Sequence, residues 1–446
     1  MIDQTRLRVL NDRPPREAGK YVLYWMQASQ RTRFNHALEH AIERANARKL
    51  PVVVGFGLID DYPEANARHY AFMLEGLRDV GASLARRGIG FAVQHGAPAR
   101  VALKVSRDAA LVVCDRGYLR HQKQWRDEVA DAAPCEVVEV ETDVVVPVEV
   151  ASDKHEFAAR TLRPKIQRHL ASYLKPVAHG RVRVKTAVTA PATIELASLR
   201  LDRSVAPSAR FVGGEVAARA LLKKFVAAKL TGYATKRNEP ALQRTSTLAA
   251  YLHFGQISPL EIALAVSASS APKADRDAYL EELIVRRELS INFCHFNPRY
   301  DTFDGLPDWS RKTLAEHRRD QREHMYSRAQ LEAAQTSDRY WNAAQLEMVR
   351  TGYMHNYMRM YWGKKIIEWK RTPQEAYADA IYLNNKYFLC GRDPNAWANV
   401  GWPFGLHDRP WGPARPVFGL VRYMNAAGLE RKFDMEAYVE FVESLG

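Results

Sequence analysis

Two tryptophans, Trp362 and Trp369, stand seven residues apart in LEMVRTGYMHNYMRMYWGKKIIEWK, residues 346–370. That spacing is about two helical turns, so both indoles fall on one helix face. The same stretch crowds methionines, tyrosines, a histidine and several cationic side chains around them. Tryptophans in a helical segment ordinarily fill a core. This mixture of oxidisable and cationic groups is more than packing asks for.

Thr245, Ser246 and Thr247 precede a short apolar stretch in GYATKRNEPALQRTSTLAAYLHFGQISP, residues 232–259. Hydroxyls and free backbone N–H groups at a helix start suit a phosphate. The same trio serves equally as an N-cap alone. Tyr233, Lys236, Arg237 and Arg244 lie close by in sequence and tilt the balance toward an anion.

These groups need elements to hold them. From Tyr21 to about Val148, strand and helix patterns alternate. YVLYWM, PVVVGFGLI, FAVQHG and ALVVCD read as buried strands, and CEVVEVETDVVVPVEV supplies one or two more. A long helical pattern covers Asn66 to Arg87. Alternation of this kind implies a parallel sheet wrapped by helices on both sides, a Rossmann-like α/β domain over residues 1–150. Residues 151–214 read as a linker: a helix interrupted at Pro164, then a stretch with scattered Pro and Gly. Residues 215–446 carry mostly helical patterns and form an all-α domain. Ser258-Pro259 and Thr372-Pro373 are helix starts with proline in the first turn.

Composition narrows the partners. The 446 residues carry a formal net charge of +14, which favours an anionic partner, either nucleic acid or a small anionic cofactor. Four cysteines with no C-x-x-C pair argue against zinc and against a disulfide framework, and favour a reducing cytoplasm. No apolar run approaches the ~20 residues of a membrane span, and the N-terminus lacks a secretory pattern. No G-x-G-x-x-G follows the first strand and no phosphate-loop motif occurs. The absence of H-x-G-H argues against a nucleotide-activating ligase.

TSTLAAYLHFG resembles the flavin-phosphate segment of the photolyase/cryptochrome family, and MHNYMRMYW resembles its flavin-facing helix. EELIVRREL, LNNKYFLCGRDPNAWANVGW and HDRPWG are similar to class II cyclobutane pyrimidine dimer photolyases. The resemblance is dense from about Tyr233 to Tyr423.

That resemblance implies FAD, reduced and anionic in the active form, bound in residues 215–446. It implies light-driven repair of cyclobutane pyrimidine dimers by electron transfer to a dimer flipped out of DNA, with a cryptochrome-like light sensor as the alternative. Retention of the lesion set and the short stretch after the last helical pattern favour repair. For the cofactor it implicates Tyr233, Thr245, Ser246, Thr247, Leu248, Arg359, Asp393 and Asn384. Asn384 is expected to face flavin N5, with Asn399 as its rival. Trp362 would lie nearest the flavin, Trp341 next and Trp369 outermost, with Tyr326 as an auxiliary donor. Glu282 and Arg237 would meet the dimer, between walls of Met360, Trp402 and Trp411, with Arg422 entering the DNA bubble. A Glu–Arg pair is also an ordinary salt bridge. Two departures stand out: Ala249 occupies a position where serine is usual, and Cys390 one where an acid is common. A deazaflavin or folate antenna would sit beyond the first strand. The expected partner is dimer-containing DNA, the expected state a monomer.

Overall fold

The computed structural model describes residues 2–186 and 194–445. Its sheet contains β1 (Leu7–Val9), β2 (Tyr21–Trp25), β3 (Val52–Leu58), β4 (Gly90–His95), β5 (Ala109–Asp115) and β6 (Glu136–Val140). The order is β1-β6-β5-β2-β3-β4. Only β1 runs antiparallel, pairing Leu7 with Val140 at the edge. The other strands are parallel, with Leu23 of β2 opposite Val53 of β3 and Val112 of β5.

Successive β2 side chains face opposite layers, as the strand period demands. Val22 and Tyr24 pack with Leu38, Ala41 and Leu77, from helices His36–Arg48 and Ala67–Arg87. Leu23 and Trp25 pack with Ala99, Ala102 and Val129, from helices Pro98–Ser106 and Arg120–Ala132. Every residue of β5 is buried, which is why it reads as one continuous apolar run.

The stretch after β6 settles the expected one or two strands at one. Only Glu136–Val140 is a strand; Val144, Val145 and Val146 are buried without joining the sheet. Their backbone is satisfied elsewhere. The buried Arg6 guanidinium donates to the carbonyls of Glu141, Val144 and Val145 at 3.0, 3.2 and 2.6 Å.

The first connector helix runs unbroken through Pro164, from Ala159 to Tyr173. Leu162, Ile166 and Tyr173 bury into the same core as the helical half of the chain. The connector then returns to the sheet, where the Thr186 hydroxyl donates to the Val52 carbonyl at 2.8 Å. Residues 187–193, the middle of the expected linker, lie outside the described residues. The helical half opens at Gly214, whose φ of 117° favours glycine. A Cβ there would meet the Asp79 carboxylate at 2.3 Å.

Both helix starts expected from X-Pro form: Ser258 caps Pro259–Ser267 and Thr372 caps Pro373–Tyr387. The tryptophan-rich stretch is two helices, Arg339–Thr351 and Asn356–Trp369. Gly352 ends the first in the left-handed region, at φ 80°.

Candidate functional site

Helices of the 215–446 half surround an open cavity. Tyr233, Ser246, Leu248, Glu282, Arg359 and Asp393, all singled out from sequence, line it together. Cys390 and Ala249, the two departures, line it as well. Glu282 arrives on Glu281–Arg286, a turn widened to the i→i+5 pattern between helices Lys273–Leu280 and Arg287–Phe296. Such turns often mark functional positions. Glu282 pairs with Arg237 at 2.8 Å, both partly exposed.

Asp393 caps helix Pro394–Gly401, accepting from the Ala396 N–H at 2.6 Å. Burial lifts its carboxyl to about 6, against the pull of Arg287, Arg359 and Arg392. The Arg359 guanidinium lies 3.8 Å from the Phe388 ring centroid and donates to the Cys390 sulfur at 3.5 Å. Among the described residues its Nε has no partner. Burial likewise pushes the Tyr233 hydroxyl up to about 12.

The hydroxyl trio separates. Ser246 faces the cavity and accepts from the Tyr279 hydroxyl at 3.0 Å. Thr245 is bonded to the Tyr353 hydroxyl at 2.7 Å, and the Thr247 hydroxyl turns back to the Ser246 carbonyl. Neither threonine is among the lining residues. The helix they precede has five residues, Ala249–His253, too short for a large macrodipole. Asn399 lines the cavity. Asn384 is buried on Pro373–Tyr387, with its amide donating to Asn385 at 2.9 Å. Arg287, Tyr279 and Asn395 also line it; the first and last lie within the quoted motifs without an assigned role, and Tyr279 lies outside them.

Unpartnered Nε atoms on the buried Arg359 and on Arg287, a serine hydroxyl, asparagine amides and leucine walls suit one kind of ligand. It is anionic at one end and flat and apolar at the other. The residues present fit FAD.

Arg359 and Trp362 sit three residues apart on one helix, so they are neighbours on its surface. Trp362 stacks parallel to Trp341, with centroids 6.4 Å apart. Trp341 meets Trp369 edge-on at 5.3 Å, and Trp369 meets Tyr326 edge-on at 5.0 Å. The three indoles are buried and Tyr326 is partly exposed.

Met360, Trp402 and Trp411 are not among the cavity's lining residues. The Trp402 turn packs its Pro403 against Gly363 of the helix that bears Met360, and the Arg286 guanidinium lies 5.3 Å from the Trp402 ring. Trp411 is 37 % exposed. The guanidinium groups of Arg409 and Arg422 lie 4.5 and 5.0 Å from its ring.

A second cavity opens at the carboxyl ends of β2 and β3, one strand over from the reversal of strand order between β2 and β5. Gln27, Ala28, Phe56, Tyr62, Trp125 and Arg392 help line it. Open sheets bind ligands beyond the carboxyl ends of their strands. The turn after β2 offers no phosphate cradle, because Asp115 occupies it. Its carboxylate accepts the N–H groups of Gln27, Ala28 and Ser29 at 3.0–3.3 Å. Among the described residues there is no group of side chains that could hold a metal ion, and no helix is long and apolar enough to cross a membrane.

A parallel sheet domain, a returning connector and a helical body with a cationic, apolar cavity together define a photolyase/cryptochrome-type architecture. Solved structures agree. A bacterial class III photolyase from Agrobacterium tumefaciens superposes with a TM-score of 0.75 at 20% identity, covering 95% of this chain and 86% of that one. An archaeal photolyase from Sulfolobus tokodaii, solved with two FAD molecules, gives 0.71 at 16% identity, covering 95% and 89%. Sequence goes further. Residues 22–182 match the DNA photolyase family model. The chain is 49% identical to a deoxyribodipyrimidine photo-lyase of Methanothermobacter thermautotrophicus, over 100% of this chain and 99% of that protein. It is 40% identical to one of Arabidopsis thaliana, over 100% and 94%. The chain belongs to the DNA photolyase family.

Proposed function

We propose that the chain repairs cyclobutane pyrimidine dimers in DNA by light-driven electron transfer, as a class II-type enzyme. One observation carries this reading: Glu282, from the lesion set, lines the same cavity as Ser246, Arg359 and Asp393 from the cofactor set. Donor and acceptor would then share a wall. FAD held there by Ser246, Arg359 and Asp393 would supply light-driven one-electron chemistry to the dimer.

The chain's own residues have separate tasks. Arg359, with no carboxylate within ion-pair distance, favours negative charge on a bound ring system. Ser246 and Arg287 would hold the phosphates. Glu282 would hydrogen-bond the pyrimidine edge, and Arg237 would offset the negative charge the dimer gains. Met360, Trp402 and Trp411 would wall the extruded lesion. Extrusion costs only a few kcal/mol because a dimer already weakens its own pairing. Trp369, Trp341 and Trp362 would carry an electron inward, with Tyr326 as the outer donor. An antenna, deazaflavin or folate, would take the second cavity.

The test is direct. Reduced protein is incubated with dimer-containing single- and double-stranded DNA, in blue light and in darkness, and restored thymine is measured. Repair in light alone is the expected result. A yellow protein that photoreduces yet leaves dimers intact would be a light sensor, and the repair reading would be discarded.

A further inference from the structure

Phe157 is 53 % exposed, an aromatic ring left in water just before the connector helix Ala159–Tyr173. It is not an isolated surface residue. The Arg160 guanidinium, itself exposed, lies 5.0 Å from the ring centroid. The Phe157 carbonyl accepts from His407 Nδ1 at 3.1 Å. His407 opens the loop that leads through Arg409 to Trp411. On the other side, Arg163 of the connector helix pairs at 2.7 Å with Glu281, the neighbour of Glu282. Arg286 also reaches Glu281, at 3.3 Å, and covers Trp402. The start of the connector is therefore linked to the loop that carries Trp411 and, through Glu281 and Arg286, to Trp402, and its exposed ring stands beside these links.

A solvent-facing phenyl ring with a guanidinium beside it is suited to single-stranded nucleic acid. Every base has a face that stacks on an aromatic ring, and the cation serves the phosphate. The net charge of +14 favours a polyanion over a protein or lipid occupant. Extruding a lesion also leaves the flanking nucleotides partly unstacked, with faces free to be taken up.

We propose that Phe157 and Arg160 form a stacking platform for a nucleotide flanking the extruded lesion, extending the DNA footprint onto the connector. This rests on the repair reading above. The test uses the full-length, FAD-loaded protein and fluorescence anisotropy with three probes. These are a single strand of about 15 nucleotides bearing one central thymine dimer, the same strand undamaged, and an isolated dinucleotide dimer as competitor. Phe157→Ala and Arg160→Ala should each weaken the lesion-bearing strand about five-fold or more. Both should leave the dinucleotide dimer and the flavin spectrum unchanged, and Phe157→Trp should retain affinity. Unchanged binding of the long strand by Phe157→Ala overturns the platform. So does an equal loss on the dinucleotide, which would locate the effect inside the cavity. Should the unaltered protein bind damaged and undamaged strands alike, the repair reading fails first and the platform falls with it.

Discussion

The indole planes of Trp341 and Trp362 lie within 4° of parallel, their centroids 6.4 Å apart, although the residues sit on different helices. Two hydrogen bonds fix the pair. Trp341 Nε1 donates to the Trp362 carbonyl at 3.0 Å, and Trp362 Nε1 donates to the Gln345 side chain at 2.8 Å. Each helix supplies the anchor for the other's indole, so the spacing between the rings is set by the helix–helix contact. A fixed, short gap between oxidisable rings is what stepwise electron transfer needs.

Trp362→Phe should therefore drop light-driven reduction of bound flavin to background. The same variant should repair dimers normally once a chemical reductant has supplied the electron. Absorbance during illumination reads the first effect and thymine restoration the second. Loss of repair under chemical reduction would give Trp362 some other task.

Under the proposed function, Asn384 and Asn399 are the two candidates for the position beside flavin N5. Asn399 lines the cavity, while Asn384 is held behind its bond to Asn385. Serine substitutions at each should separate them. The asparagine that faces N5 should, on replacement, shift the flavin reduction potential and speed its reoxidation in air; the other should leave both unchanged. Spectroelectrochemical titration of the two variants decides the assignment.

Much of the fold could be read from β-branched runs and X-Pro starts, because those signals are local. β1 was missed: three residues with Arg8 at the centre carry no periodicity, and only pairing with β6 makes them a strand. Val144–Val146 keep a second strand open in the sequence because burial, whatever its cause, selects the same residues. The cavity was half legible. Ser246, Arg359 and Asp393 sit in dense motifs, and Arg287 and Asn395 lie inside the same motifs without a chemistry that marks them, whereas Tyr279 reaches the cavity only through helix packing. Thr245 and Thr247 carry the right chemistry, yet the backbone turns them to Tyr353 and Ser246 instead.

Glu282→Ala should cut repair under chemical reduction while leaving flavin content intact. The Arg237–Glu282 pair is partly exposed, so its loss should cost at most about 1 kcal/mol of stability. Thermal unfolding checks the cost, and repair yield per absorbed photon checks the function. A large fall in melting temperature would make the pair structural.

Arg422 is exposed beside Trp411 at 5.0 Å, and under the proposed function it would meet a phosphate or the vacated bubble. If it neutralises one phosphate, Arg422→Ala should reduce the slope of log affinity against log salt by about 1. Trp411→Ala should leave the slope alone and lower the preference for damaged over undamaged DNA. Binding isotherms at several salt concentrations separate the two roles.

Glu288 joins the two halves of the molecule. One carboxyl oxygen accepts the Val145 N–H at 2.6 Å and the other has no partner. Burial lifts its pKa to about 8, against the pull of the Val145 hydrogen bond and the Arg287 charge. In the unfolded chain it ionises near 4.5. Between those values the folded chain holds a proton the unfolded chain has released, so this group's contribution to stability falls as pH rises through the window. Above the folded value both forms are ionised and the cost no longer grows. Glu288→Gln keeps the acceptor for Val145 and removes the titration. The variant should melt close to the unaltered protein at pH near 5 and several degrees above it at pH near 9. Melting curves that stay parallel across that range would mean that Glu288 is already ionised in the folded chain.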